Sequence, residues 1–388
     1  MRHTFNHICL MFILLLTVSC TNGKKEDEQV REIYSLENCK IGSINDIFSD
    51  VNLIPLKFDG EFYPKSIERI FIDSDMVFAG DSKNNVYIFS EDGTPISSSL
   101  SKRGDGPGEH PFVMGYSWNP HSELIEIITP QLLMFYDRNF NYVKSSKLES
   151  KRGTKNQKCM MYQSIFDLSP ELHLLSLSGS SERPFRFIIY DSSKEKNIGE
   201  ISYEDDAWSF INMQSNNFFV MPDSTIICHP SGLLPYTYQF DPQDLSLNKV
   251  IKLESDSRCI TLEEIENYSD DDAKISHYLL DCDKSIPINT IVTPDRLFIT
   301  LKTDNSIRGL YTVVFNRNDF DKKEYYLYND GKMIFPKIGY ATDKYAYSIA
   351  NKDILDKSPD LLLNMPNHIS ELNSINEEDW ILLKYKYK

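Results

Sequence analysis

From about residue 38 onward the chain alternates short apolar runs with polar turns, and the runs carry the pattern of strands. The clearest unit spans 66–100 and holds four of them: "RIFID", "MVFAGD", "NVYIFS" and the weaker "PISSSL". The third run ends at "SEDGT", where Asp92-Gly93 is a hairpin signal because Gly93 can take a positive φ at no steric cost. Four short strands joined by tight turns predict one four-stranded antiparallel sheet. The unit then restarts in "LIEIITPQLLMFYDRNFNYVKSSKL", in "LHLLSLSGSSERPFRFIIYDSSKEKNIGEI" and in "TIICHPSGLLPYTYQFDPQDLSLNKVIKL". A fifth unit is "RLFITLKTDNSIRGLYTVVFNRNDFDKKEYYL". Aromatic anchors Phe89, Tyr136, Tyr190 and Phe240 are 47, 54 and 50 residues apart, and the next step, to Phe315, is 75. The added length is mostly "TLEEIENYSDDDAKISHYLLDCD", which reads as a helical or loop insertion. A sixth unit can be assembled from "YAYSIANKDIL" and the terminal "WILLKYKYK".

Regular short strands also fit a two-sheet sandwich, but a sandwich has no need to restart the same unit five times. The ends of the chain favour a ring. "VNLIPLKF" and "WILLKYKYK" are both edge-strand candidates, and pairing them in one sheet would close a propeller between its first and last blades. The expectation is an all-β, six-bladed β-propeller of four-stranded antiparallel blades over 38–388.

The first residues read differently. "MRHTFNHICLMFILLLTVSC" has Arg2, an apolar run over 8–16, and small or modest residues before Cys20. This is a secretory h-region too short to span a bilayer. "LTVS" before Cys20 looks like a bacterial lipobox, with Thr17 where leucine is commonest. The plain alternative is a secretory signal cut near Ser19. The reading is a lipoprotein signal peptide over 1–19, lipidation of Cys20, and a polar tether over 20–37. No later segment is apolar for long enough to cross a membrane.

Composition narrows the partners. The chain has 388 residues and a formal net charge of −16, so it lacks the basic footprint of a nucleic-acid binder. Past the signal, Cys39, Cys159, Cys228, Cys259 and Cys282 are widely spaced with no CxxC, which is not a zinc pattern. Cys259 and Cys282 could form one disulfide; buried thiols are the simpler reading.

The strand "NNVYIFSEDGTPI" followed by "KRGDGPGEH", together with the terminal "DWILLKYK" over 379–386, resembles the six-bladed β-propeller lipoproteins of Bacteroidetes, relatives of NHL-type propellers. The resemblance is detailed over 67–116 and at the C-terminus. His110 stands where that family usually has tyrosine, and Trp380 where it often has proline. In lipoproteins of this kind, a lysine followed by acids after the lipidated cysteine resembles a surface-export signal; here these are Lys25, Glu26 and Asp27. The resemblance implies no catalytic activity.

"SKRGDGPGEH" over 101–110 is the most motif-like stretch. It has no lysine after its last glycine and no helix behind it, so it is neither a Walker A nor a dinucleotide loop. Two carboxylates at this spacing do not fill a calcium shell. It reads as an inter-blade crossing whose Arg103, Asp105, Glu109 and His110 are the candidates for a ligand-facing or structural role. Glu109 would accept backbone N–H bonds or pair with Arg103. His121, His173, His229, His277 and His368 are isolated in sequence, and the acidic stretch 266–274 reads as a solvated loop. Trp118, Trp208 and Tyr236 could stack on a sugar or peptide, or brace blades. No catalytic residue, metal site or cofactor is expected. The functional reading is an outer-membrane, lipid-anchored binding module of the cell envelope, periplasmic or surface-exposed, for a glycan, a peptide or an envelope protein. The alternative is an extracellular polysaccharide lyase or hydrolase with a composite site at the propeller channel.

Overall fold

The structure is a computed structural model that describes residues 30–58, 64–73, 75–148, 162–177, 186–202, 218–229, 236–254, 257–261, 264, 278, 284–303, 309–377 and 379–388. The signal segment, Cys20, Lys25, Glu26, Asp27, Cys159, Trp208, the stretch 266–274, His277 and Cys282 lie outside these residues, and so does the question of a Cys259–Cys282 bond.

Six sheets form the ring of a β-propeller. Four-stranded antiparallel meanders cover 67–98, 115–147 and 162–202, and two more, over 218–254 and 286–326, each carry an added fifth strand. The sixth blade combines Tyr340–Ala341, Tyr345–Asn351 and Trp380–Tyr387 with the early strand Phe48–Leu56. Its closing pair runs antiparallel from Leu56 opposite Trp380 to Phe48 opposite Tyr387. Both ends of the chain therefore lock the ring through one continuous hydrogen-bonded ladder, which removes two open edges. The Trp380 indole N–H donates to the Pro64 carbonyl at 3.1 Å.

The five aromatic anchors all lie on the third strand of their blade and are 0–2% exposed. A strand sends alternate side chains to opposite faces, so each anchor projects into the apolar layer between adjacent blades. Near the start of the second inner strand, a Cβ on Gly115 would lie 2.3 Å from the Gln163 carbonyl oxygen of the third. Only glycine permits that approach of two backbones near the ring axis.

Part of the stretch 20–37 that the sequence reads as tether is instead paired into the propeller. Glu32–Ser35 is a strand that pairs in parallel with Ile251–Glu254 on the rim of the fourth blade. Lys40 and Ile41 then pair in parallel with Lys323 and Glu324 on the fifth. The cause is a short alternation in "EIYSL": Tyr34 and Leu36 are buried while Ile33 is exposed. Glu32 adds a two-point ion pair with Arg317, whose Nε donates at 2.9 Å. The propeller thus takes in residues ahead of Asn38.

Candidate functional site

Where the inner strands end, the channel opens into a cavity of about 640 Å³. All six blades contribute, through residues 71–73, 116–118, 164–167, 218–220, 292–293 and 340–341 with the turns that follow. Aromatic residues from five blades line it: Phe71, Tyr116, Phe166, Phe219 and Tyr340, with the Tyr116 hydroxyl buried against Gly80. Trp118 lies deeper, with the Arg138 guanidinium 5.0 Å from its ring. Asp73, Asp167, Asp343, Thr293, Thr342 and His121 supply polar groups, and among the described residues no lysine or arginine is in the lining. An aromatic, hydroxyl-bearing and acidic mouth suits a polar ligand that is neutral or cationic.

One wall of this mouth holds a buried polar row. Cross-strand register aligns the blades position by position. The residues side by side on the first three strands are Ile72, Val77 and Phe89 in the first blade and Trp118, Ile125 and Tyr136 in the second. They are Val220, Ile226 and Phe240 in the fourth and Val292, Leu297 and Phe315 in the fifth. The third blade instead places Asp167, His173 and Tyr190 there. Next to them stands Glu126 of the second blade, at a position filled elsewhere by Phe78, Leu174, Ile227 and Phe298. Three apolar positions of the repeat have become ionisable, and all three side chains are buried. Burial of such groups is costly unless they satisfy one another.

They converge on one point. His173 Nδ1 is 2.7 Å from Asp167 Oδ1 and 3.2 Å from Glu126 Oε2. On the other side of the ring, His173 Nε2 is 3.0 Å from Ser192 Oγ, whose hydroxyl donates to the Glu171 carbonyl at 3.1 Å. With the serine proton committed, Nε2 must be the donor to Ser192. Asn119 Nδ2 donates to Glu126 Oε1 at 2.8 Å, whereas Glu126 Oε2 accepts no hydrogen bond. Burial, reinforced by the Glu126 carboxylate, pushes Asp167 well above the usual carboxylate range against the pull of His173. Burial would lower His173, but its hydrogen bond to Asp167 and the nearby Glu126 outweigh it and hold the imidazole at about 9. The row can therefore hold shared protons or a cation.

The glycine-rich crossing is elsewhere. None of Arg103, Asp105, Glu109 and His110 lines the cavity. The crossing leads into the start of the second inner strand, away from the end at which the mouth opens. Glu109 folds back to accept the Gly106 N–H at 2.9 Å, one of the two roles the sequence allowed it. His110 N–H donates to the Lys102 carbonyl and Gly104 N–H to the His110 carbonyl, which ties the loop's two legs together. Gly108 has φ +75°, and a Cβ there would lie 2.8 Å from Cβ of Tyr142 in the second blade. Arg103, Asp105 and Glu109 are exposed. His110 is buried edge-on to Tyr136, neither ring nitrogen has a hydrogen-bond partner, and burial lowers its pKa.

The remaining sequence candidates divide. His121 reaches the mouth, His173 joins the row, and His368 meets Asp50 at 3.2 Å on the surface. His229 is buried with Nδ1 2.8 Å from Thr237 Oγ1. Tyr236 carries the Lys249 ammonium 4.4 Å above its ring. Sequence reading missed Glu126 and Asp167. The signal was a glutamate inside the apolar run "LIEII" and a histidine inside "LHLLSL", each visible once the repeats are set in register.

Comparison with other proteins fits this architecture. A Bacteroides fragilis NCTC 9343 protein described as exported is similar in structure, with TM-score 0.69 and 14% identity over 92% of this chain and 99% of its own. A member of the DUF4221 family from Bacteroides vulgatus ATCC 8482 is similar at TM-score 0.53 and 12% identity, over 88% of this chain and 97% of its own. No functionally curated protein matches the sequence. Residues 21–353 match the DUF5128 family, described as a 6-bladed beta-propeller, and the chain belongs to that family.

Proposed function

We propose that this protein is a lipid-anchored binding module of the cell envelope that takes a neutral or cationic polar ligand, a glycan foremost, at the mouth of its channel. The observation that carries this reading is the ring of aromatics from five blades around a cavity with acids and hydroxyls and, among the described residues, no lysine or arginine. Aromatic faces pack on the apolar faces of sugar rings while carboxylates and hydroxyls take the sugar hydroxyls. The same lining counts against a polysaccharide lyase, because a polyuronate calls for cationic partners. Export is supported by the lipobox ahead of Cys20, by a family match that begins at residue 21, and by the similar Bacteroides fragilis protein described as exported.

The test is a glycan and peptide array followed by calorimetry. Binding of neutral or amine-bearing glycans should fall at least tenfold in a folded Phe219→Ala, Tyr340→Ala double variant. Exclusive binding of uronate polymers, or binding indifferent to both changes, would overturn the assignment. The anchor is tested separately: Cys20→Ser should abolish lipid labelling and release the chain from the membrane fraction, since a single acylated cysteine carries the attachment.

A further inference from the structure

We propose that Glu126, Asp167 and His173 bind a divalent transition-metal ion, with Zn²⁺ the best match, in the wall between the second and third blades. The three donor atoms lie within 4.8 Å of one another, and all three residues are buried. Their outer partners orient them as metal ligands are oriented. Ser192, held by the Glu171 carbonyl, accepts the hydrogen bond from Nε2 of His173, so that a metal ion at Nδ1 would take the place of the proton that bridges to Asp167. Asn119 holds Oε1 of Glu126 and leaves Oε2, which no hydrogen bond reaches, aimed at Nδ1. A ring lone pair and two carboxylate oxygens in van der Waals contact repel one another unless a positive charge lies between them.

Either protons or a metal ion can supply that charge, and the donor set favours the metal. One imidazole and two carboxylates form a mixed N/O set suited to Zn²⁺ or Mn²⁺, and three protein ligands leave a fourth position. The separations of 2.7 and 3.2 Å are close to the roughly 3.3 Å edge of a tetrahedron with bonds near 2.0 Å. Asp167 also lines the channel mouth, which sets the site beside the ligand cavity. The site is set in the wall by register alone, so it stands whether or not the mouth takes a glycan.

The experiment uses the full purified chain, stripped with chelator and titrated with Zn²⁺ and with Mn²⁺. One Zn²⁺ per chain should bind, raise the melting temperature, and be lost on chelation. Glu126→Gln should weaken Zn²⁺ binding at least a hundredfold, and Ser192→Ala, which removes only the outer partner, about 10–100-fold. X-ray absorption on the wild-type complex needs no variant and should show nitrogen and oxygen near 2.0–2.1 Å with no sulfur. Absence of stoichiometric binding would overturn the proposal and leave the row to its protons. Sulfur ligation, or binding unchanged in a folded Glu126→Gln, would overturn it as well.

Discussion

The crossing at 101–110 keeps its charges in water, whereas the row of Glu126, Asp167 and His173 sets its charges where water does not reach. In the crossing, backbone bonds tie one leg to the other, Glu109 closes on its own loop, and the Tyr136 hydroxyl donates to the Gly108 carbonyl. In the row the contacts among the three side chains join different strands, and Glu126 comes from a different blade. The first arrangement shapes a chain reversal and needs glycine. The second stores electrostatic energy and needs exact partners. A propeller offers both because its blades are rigid sheets joined by loops, and a side chain on an inner strand is held far more tightly than one on a crossing.

The largest effect should come from removing the cationic partner of the row. His173→Ala leaves two buried carboxylates facing each other, and breaking a buried ionic set in this way costs about 3–5 kcal/mol. Denaturant unfolding in the presence of chelator measures it. The contrasting change installs the residues that other blades carry: Glu126→Phe, Asp167→Val and His173→Ile together. That variant should fold and be as stable as the parent or more so, because apolar replacement of a whole buried ionic set is commonly neutral or stabilising. A loss below about 1 kcal/mol for His173→Ala would show that the three groups are not a coupled unit.

A second buried histidine, His229, sharpens the point because its pKa shifts in the opposite direction. Burial pulls His229 down to about 4. Its folded pKa lies below the unfolded value near 6.5, so the unfolded chain binds the extra proton between those limits. Stability from this group is intact above pH 6.5 and is lost as pH falls toward 4. At pH 4.5 the loss is about 2–3 kcal/mol relative to neutral pH. His229→Asn keeps a polar group near Thr237 and should flatten that part of the pH–stability curve, read by melting from pH 7.5 to 4.5. An unchanged acid limb would mean that His229 charges without unfolding cost.

These two histidines also show how far sequence carries. Phe89, Tyr136, Tyr190, Phe240 and Phe315 announced the blades because large apolar residues on central strands recur with the repeat, and the ring closure followed from two matching edge strands. The parallel strand Glu32–Ser35 escaped notice because four residues with one buried side chain barely rise above a polar tail. His173 and His229 both looked isolated. Asp167 is only six positions from His173 but on another strand, and Glu126 is 47 away on another blade. Their meeting depends on register, which a one-residue slip would undo. The crossing was conspicuous because its chemistry is local.

Within the crossing, the glycines should matter unequally. Gly108 has positive φ and abuts Tyr142, so Gly108→Val combines backbone strain with a steric clash and should cost about 1–3 kcal/mol. At Gly106 the added Cβ would meet chiefly the Glu109 carboxylate, the movable end of a flexible side chain. Gly106→Val should therefore lose less than Gly108→Val, and the order of the two melting temperatures checks it. Equal losses would mean that the Tyr142 contact is not what fixes the loop on the second blade.

The smallest effect is expected at the residue that looked most like chemistry. Glu109 is exposed, and its carboxylate accepts from the Gly106 N–H. Glu109→Gln keeps a carbonyl oxygen at that place and removes only a solvated charge. Exposed charges of this kind change stability by roughly 0.5 kcal/mol or less. The side chain is also absent from the cavity lining, so glycan affinity at the mouth and Zn²⁺ affinity at the row should both stay within twofold of the parent. The two titrations make the outcome specific, because a folding defect would lower both together. Loss of ligand binding in a stable Glu109→Gln would place the ligand at the crossing and reverse the roles assigned to the two regions. Loss of Zn²⁺ alone would point to a coupling through Tyr136, whose hydroxyl donates to the Gly108 carbonyl and which pairs across the strands with Ile125, the neighbour of Glu126.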